Sequence, residues 1–238
     1  MIAFVCSLLG TCSQGACQVI EFKSVSNTVC SYEVSTIRTG LFLNDPQGQP
    51  YRSLSRLENR LENRLDKPAL MLMNGGMYHS DLGAVGLYIE NGRESKGIST
   101  KGGWGNFHLL PNGVFWGKDG KLDVTETKTF IWKQIKPDFA TQSGPMLVIN
   151  GKLHPRFLQD SDSLKIRNGV GVSNDGKWVH FAISQSAVTF WDFGKLFQEK
   201  LKTPNALFLD GTVSAIKAEG FSQGGWRDLG PMIGVFER

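Results

Sequence analysis

Long hydrophobic runs are the first thing missing from this chain of 238 residues. None approaches the roughly 18 apolar residues a bilayer-crossing helix needs, so no stable membrane span is expected. Blocks of one charge are missing too. The 26 basic and 22 acidic residues are dispersed, and a formal charge of +4 without a Lys/Arg cluster points to no nucleic-acid partner. Metal-ligand spacing is also lacking: there is no C-x-x-C pair, no Cys–His spacing, and His79, His108, His154 and His180 are widely scattered. No metal site and no cofactor are therefore identified. No Pro/Ser-rich linker divides the chain. What remains is an ordinary globular composition, 40% hydrophobic and 20% charged, with an excess of glycine at 28 residues that signals many turns.

All four cysteines, Cys6, Cys12, Cys17 and Cys30, lie in the first thirty residues. Residues 2–10 form a short apolar stretch followed by small and polar residues, which reads as a signal peptide over residues 1–16, truncated in that no basic segment precedes its apolar core. The competing reading is a buried strand. Removal of a leader would leave Cys17 and Cys30 as a disulfide pair, or as two buried thiols, in a domain covering residues 17–238. Such a chain would be periplasmic or secreted.

The organisation is set by five dipeptides, Asn91-Gly92, Asn112-Gly113, Asp119-Gly120, Asn150-Gly151 and Asp175-Gly176, each favouring a tight hairpin between apolar, β-rich segments. Strands are expected at residues 83–90, 106–110, 114–117, 121–127, 145–149, 168–173 and 177–184. Leu54, Leu57, Leu61 and Leu65 mark one amphipathic helix. A second opens at Thr189, with Asp192 three residues on, and carries Phe190, Phe193, Phe197 and Leu201 on one face before Pro204 stops it. The fold class is α+β: a mainly antiparallel mixed sheet with hairpins and two or three packed helices.

Four polar or glycine clusters sit at the ends of apolar strands. The first runs from Asn74 through Gly75, Gly76, Tyr78 and His79 to Asp81, where two glycines permit a sharp bend and close approach to a ligand. Gln142, Ser143 and Gly144 precede Pro145, which lacks an N–H and fixes the strand start, so that the two polar side chains would face a cleft. This is not the Gly-x-Ser-x-Gly elbow of serine hydrolases, and a similar Gly-Pro-Met recurs at Gly230-Pro231-Met232. Arg167 precedes Asn168 and Gly169, and its planar fork suits a phosphate or carboxylate. Asp210, Gly211 and Ser214 follow the buried run 206–209, which brings a carboxylate out at a strand end. Each cluster also has a purely structural reading: a turn for the first, a strand start for the second, a solvated arginine, and a turn-capping aspartate.

In this order, Asn-Gly-Gly-Met-Tyr (74–78), Gln-Ser-Gly-Pro-Met-Leu-Val (142–148), Arg-Asn-Gly-Val-Gly-Val (167–172) and Ala-Leu-Phe-Leu-Asp-Gly (206–211) resemble the phosphodiester glycosidase family. Tyr78-His79 and the segment 111–116 are similar to its bacterial, exopolysaccharide-related branch. One departure is that Gly211-Thr212-Val213-Ser214 stands where the family has a run of glycines before the serine. The resemblance implies a hydrolase that cleaves a sugar-1-phosphodiester in envelope or exopolysaccharide metabolism, with a small-molecule or polysaccharide substrate. Asp210 is then the expected catalytic carboxylate, with His79 and Asp81 as further acid/base candidates. Arg167 is the expected phosphate clamp. Asn74, Gly75, Gly76, Gln142, Ser143, Gly144, Gly211 and Ser214 are expected around the substrate. The alternative is a non-catalytic saccharide-binding protein of the cell envelope.

Overall fold

The computed structural model describes residues 15–63, 68–211 and 213–238. The leader core at residues 2–10, Cys6, Cys12, Leu65 and Thr212 lie outside them. The first third of the chain forms β1 (Gly15–Phe22), β2 (Val25–Glu33), β3 (Ile37–Phe42), helix α1 (Leu54–Glu62), β4 (Met71–Asn74), β5 (Tyr88–Glu90) and β6 (Arg93–Lys96). The middle adds β7 (Gly113–Lys118), β8 (Lys121–Glu126), α2 (Thr127–Trp132), β9 (Phe139–Ser143), β10 (Met146–Ile149) and β11 (Lys152–Leu153). Then follow β12 (Asn168–Val172), β13 (Trp178–Ser184), α3 (Phe190–Lys195), β14 (Asn205–Asp210), β15 (Ile216–Ala218), β16 (Phe221–Gln223) and β17 (Met232–Glu237).

The strands form three sheets, in the orders β1-β2-β13-β12-β14-β10-β11, β16-β15-β4-β17-β3 and β6-β5-β9-β7-β8. Neighbouring strands in all three run antiparallel. The inner faces share one core, to which Phe181 and Leu207, Met73 and Val235, and Phe115 and Val124 are contributed by the three sheets respectively. Each outer face is covered by one helix. Leu54, Leu57 and Leu61 of α1 pack on Leu72, Met232 and Phe236. Phe130 of α2 packs on Val114 and Ala140, and Phe193 of α3 packs with Phe197 on Leu147, Ala206 and Phe208. This is an α+β fold built mostly of antiparallel sheet. No helix among the described residues is long and apolar enough to cross a membrane.

Local chemistry accounts for the helix starts. Ser53 accepts from Arg56 N at the head of α1, and Thr189 Oγ1 accepts from Asp192 N at 3.0 Å while donating to Asp192 Oδ2 at 3.0 Å. Asn91-Gly92, Asp119-Gly120 and Asn150-Gly151 all adopt positive φ at both residues and close the β5–β6, β7–β8 and β10–β11 hairpins. Asp175-Gly176 lies in a longer turn between β12 and β13. Asn112-Gly113 makes no hairpin. The Asn112 side chain is buried, donating to Phe107 O at 3.1 Å and accepting from Thr127 Oγ1 at 2.8 Å. The expected strand at residues 106–110 is instead a short 3₁₀ turn over Asn106–His108. At the N-terminal edge, Cys17 lies opposite Cys30 in the β1–β2 register and is disulfide-bonded to it.

Candidate active site

Strand ends from different sheets meet through hydrogen bonds. Asn74, at the end of β4, lies against Asn168, at the start of β12, whose side-chain amide donates to Asn74 Oδ1 at 2.8 Å. Asn74 Oδ1 also accepts from Ala215 N at 2.8 Å. Asn168 Oδ1 accepts from Asp210 N at 2.8 Å, Ser214 Oγ donates to Asp210 O at 2.9 Å, and Ser143 Oγ donates to Leu209 O at 2.9 Å. Three segments distant in sequence, at Asn74, Ser143 and Asn168, thereby converge on the stretch 209–215 that carries Asp210. The Asp210 carboxylate takes the next amide, Gly211 N, at 2.6 Å.

Asp210 lines a cleft of about 690 Å³ together with Tyr78, His79, Trp104, Phe107, His108 and Arg227. Tyr78 donates its hydroxyl to Asp228 O at 2.7 Å. Burial, reinforced by the Asp210 and Asp228 carboxylates and opposed by Arg227, pushes the Tyr78 phenol up to about 12, so it remains protonated at neutral pH. Tyr78 fits because position 230 is glycine: a Cβ there would lie 2.5 Å from Tyr78 Cγ. A carboxylate, a phenol and a guanidinium thus share one cleft. They can stabilise positive charge on one atom and negative charge on its neighbour.

The remaining expected site residues do not line this cleft. Gln142 is 1% exposed, and its amide is fully engaged. Its Oε1 accepts from Leu87 N and Ser99 N, and its Nε2 donates to Ser99 O and Thr127 Oγ1. It therefore clamps the segment around Ser99 to the sheet rather than presenting a ligand contact. Arg167 is 0% exposed and sits with its guanidinium 3.6 Å from the Phe190 ring centroid. Its Nε donates to Val188 O and its Nη2 to Ser163 O. Burial lowers it to about 10. Strand alternation explains the displacement, since Arg167 and Asn168 are adjacent and face opposite sides of the sheet. The cation in the cleft is Arg227, which makes no ion pair among the described residues; its neighbour Asp228 pairs with Arg52 at 2.6 Å.

Asp81 is exposed and caps its own turn, with Oδ1 accepting from Gly83 N at 2.9 Å. His79 lines the cleft. Asn74, Ser143 and Ser214 are buried and act on Asp210 through the protein. The glycines at the junction make room for protein. Gly75 N donates to Pro231 O at 2.7 Å, and a Cβ on Gly76 would come within 2.5 Å of Thr141 Oγ1. A Cβ on Gly144 would come within 2.7 Å of Asn112 Cβ, and one on Gly211 within 3.2 Å of Phe208 Cζ. Among the described residues no group of three His, Cys, Asp or Glu side chains gathers to hold a metal ion.

The phosphodiester glycosidase family model matches residues 68–236, a span that contains every element of this junction. A relative from Escherichia coli (strain K12), "Uncharacterized protein YigE", is 37% identical over 196 residues, covering 81% of this chain and 75% of that protein. The catalytic domain of zebrafish N-acetylglucosamine-1-phosphodiester alpha-N-acetylglucosaminidase, solved auto-inhibited by its pro-peptide, has a TM-score of 0.65 at 14% identity, over 94% of this chain and 82% of that one. A protein of Burkholderia pseudomallei K96243 gives a TM-score of 0.55 at 11% identity, over 89% and 74%. At such identities the structural likeness shows the fold alone. The family match and the YigE identity carry the assignment: this chain belongs to the phosphodiester glycosidase family.

Proposed function

We propose that this protein hydrolyses a sugar-1-phosphodiester outside the cytoplasm, in envelope or exopolysaccharide metabolism, splitting the bond between the anomeric carbon and the phosphate oxygen. Water supplies the new oxygen on the sugar, and the phosphate departs as a monoester. Positive charge develops at the anomeric carbon as the bond breaks, which a neighbouring carboxylate stabilises. The departing phosphate already carries negative charge, so a cation serves it better than a strong acid does. The observation that carries the reading is Asp210, locked by Asn168 and Ser214, in one cleft with Arg227. Asp210 faces the anomeric carbon and Arg227 takes the phosphate, the role that Arg167 is buried too deeply to fill. Export is supported by the Cys17–Cys30 disulfide, a bond that persists in oxidising compartments.

The test is incubation of purified protein with a panel of sugar-1-phosphodiesters, reading free reducing sugar. Release is expected from at least one member, and Asp210→Asn is expected to lower it by about 10²–10⁴-fold while substrate affinity is largely kept. No release from any member, with folded protein verified, would overturn the reading in favour of saccharide binding without turnover.

A further inference from the structure

Three of the six tryptophans, Trp104, Trp132 and Trp226, are largely exposed, and of these Trp104 is the one that lines the Asp210 cleft. Trp104 is 98% exposed, yet it lines the same cleft as Asp210. It has no hydrogen-bond or ring partner among the described residues, whereas Trp116 donates its Nε1 to Thr125 Oγ1 at 2.9 Å and lies against Phe130. Its loop is built to hold it out. Lys101 O meets His108 Nδ1 at 2.8 Å and closes the segment, and Gly105 N-caps the 3₁₀ turn with a φ of 86°. A Cβ on Gly103 would lie 2.9 Å from the His108 ring, so the loop packs tightly on that ring. Phe107 is buried beneath. An indole displayed in water on an anchored loop leaves a large apolar face uncovered beside the reactive carboxylate.

We propose that Trp104 is a stacking platform for a sugar ring beyond the one whose bond is cleaved, so that the preferred substrate is a phosphodiester on an oligosaccharide or polysaccharide chain. The inference rests on the function proposed above and narrows its substrate class. Pyranose rings present a face of C–H groups, which carry partial positive charge and match the negative face of an indole; hydroxyl groups at the ring edge stay in water. The cleft, at about 690 Å³, has the capacity of a drug-sized ligand rather than of a lone sugar ring.

Two measurements test this. For whichever panel sugar is hydrolysed, kcat/KM is compared between the 1-(methyl phosphate) of the monosaccharide and that of its tetrasaccharide. The wild type is expected to favour the chain by about tenfold, the size of one lost stacking contact, and Trp104→Ala to bring that ratio close to one. Trp132→Ala is the control: Trp132 is 80% exposed on α2 and does not line the cleft. In parallel, retention on an array of free oligosaccharides reads the platform without turnover, with longer chains expected to bind wild type more tightly and Trp104→Ala to lose that preference. No chain preference in the wild type on the array, or the same preference in Trp104→Ala, overturns the platform. Failure of every phosphodiester in the panel overturns the hydrolase reading instead and leaves the array result to decide the platform.

Discussion

Asn168 Nδ2 donates to Asn74 Oδ1 at 2.8 Å and to Asn74 O at 3.2 Å across two sheets, and these bonds tie the end of β4 to the start of β12. The network fixes the orientation of both amides. Asn74 Oδ1 receives a second donor from Ala215 N, and Asn168 Oδ1 receives Asp210 N, so each oxygen must point where it does. Asn74 Nδ2 is then left buried without a hydrogen-bond partner among the described residues.

Asn168→Ala would leave Asp210 N and Asn74 Oδ1 each short of a partner in a buried setting. The expected cost is about 1–3 kcal/mol, read from urea unfolding. Because the backbone at Asp210 would be free to shift, kcat is expected to fall by about 10²-fold with little change in KM. Asn168→Asp keeps an acceptor for Asp210 N but loses the donor to Asn74, and it should fall between wild type and Asn168→Ala. Loss of stability with an unchanged kcat in Asn168→Ala would show that the network holds the fold and does not position Asp210.

Gln142 gives the opposite outcome. Gln142→Leu would strand the buried amide of Leu87 and the half-buried amide of Ser99, from both of which its Oε1 accepts. A loss of about 3 kcal/mol or more in unfolding free energy is expected. Above the new unfolding threshold, KM should stay near the wild-type value, since the amide does not line the cleft. A large rise in KM with little change in stability would contradict the structural role.

The Cys17–Cys30 bond joins β1 to β2 and closes a loop of about 14 residues, worth at most about 3 kcal/mol on the loop-entropy estimate. Paired Cys17→Ser and Cys30→Ser substitutions should lower the unfolding free energy by up to that amount. Activity at low temperature should be unaffected, because β1 is an edge strand and does not line the Asp210 cleft.

Much of the fold was legible because its signals are local. Positive-φ Asn-Gly and Asp-Gly pairs make hairpins wherever two strands flank them, and Ser53 and Thr189 cap helices through bonds within a few residues. Of the residues expected around the substrate, Asp210 and His79 are the ones that line the cleft. Arg167 stands out in the sequence by its charge, but Asn168 next to it is the residue that reaches Asp210. Alternation along a strand, with a register shift between Asn168 and Gly169 in the β12–β14 pairing, decides between the two. The same holds for Gln142 and Ser143. Trp104 and Arg227 come from loops whose meeting depends on tertiary packing, such as the space that Gly230 leaves for Tyr78, and no local pattern announces it.

A buried histidine, His154, and a half-buried one, His180, set an acid limit on stability. His180 Nδ1 is paired with Ser31 Oγ at 2.8 Å, and His154 stacks on Phe157 with ring centroids 4.8 Å apart. Burial lowers both below the usual histidine value. Above about pH 6.5, folded and unfolded chains both carry neutral imidazoles and there is no penalty. As the pH falls below about 6.5 the unfolded chain takes up protons first, so stability is lost toward the depressed folded values. The urea midpoint should therefore drop between about pH 7 and 5. Glu90 and Asp123, raised by burial, work in the other sense in more acid solution, because there the folded chain binds protons first. Comparing wild type with His154→Gln/His180→Gln removes that contribution, since both proteins carry the two carboxylates. The double variant starts from a lower midpoint and should show a shallower drop. An equal slope in the two proteins would assign the acid sensitivity to other groups.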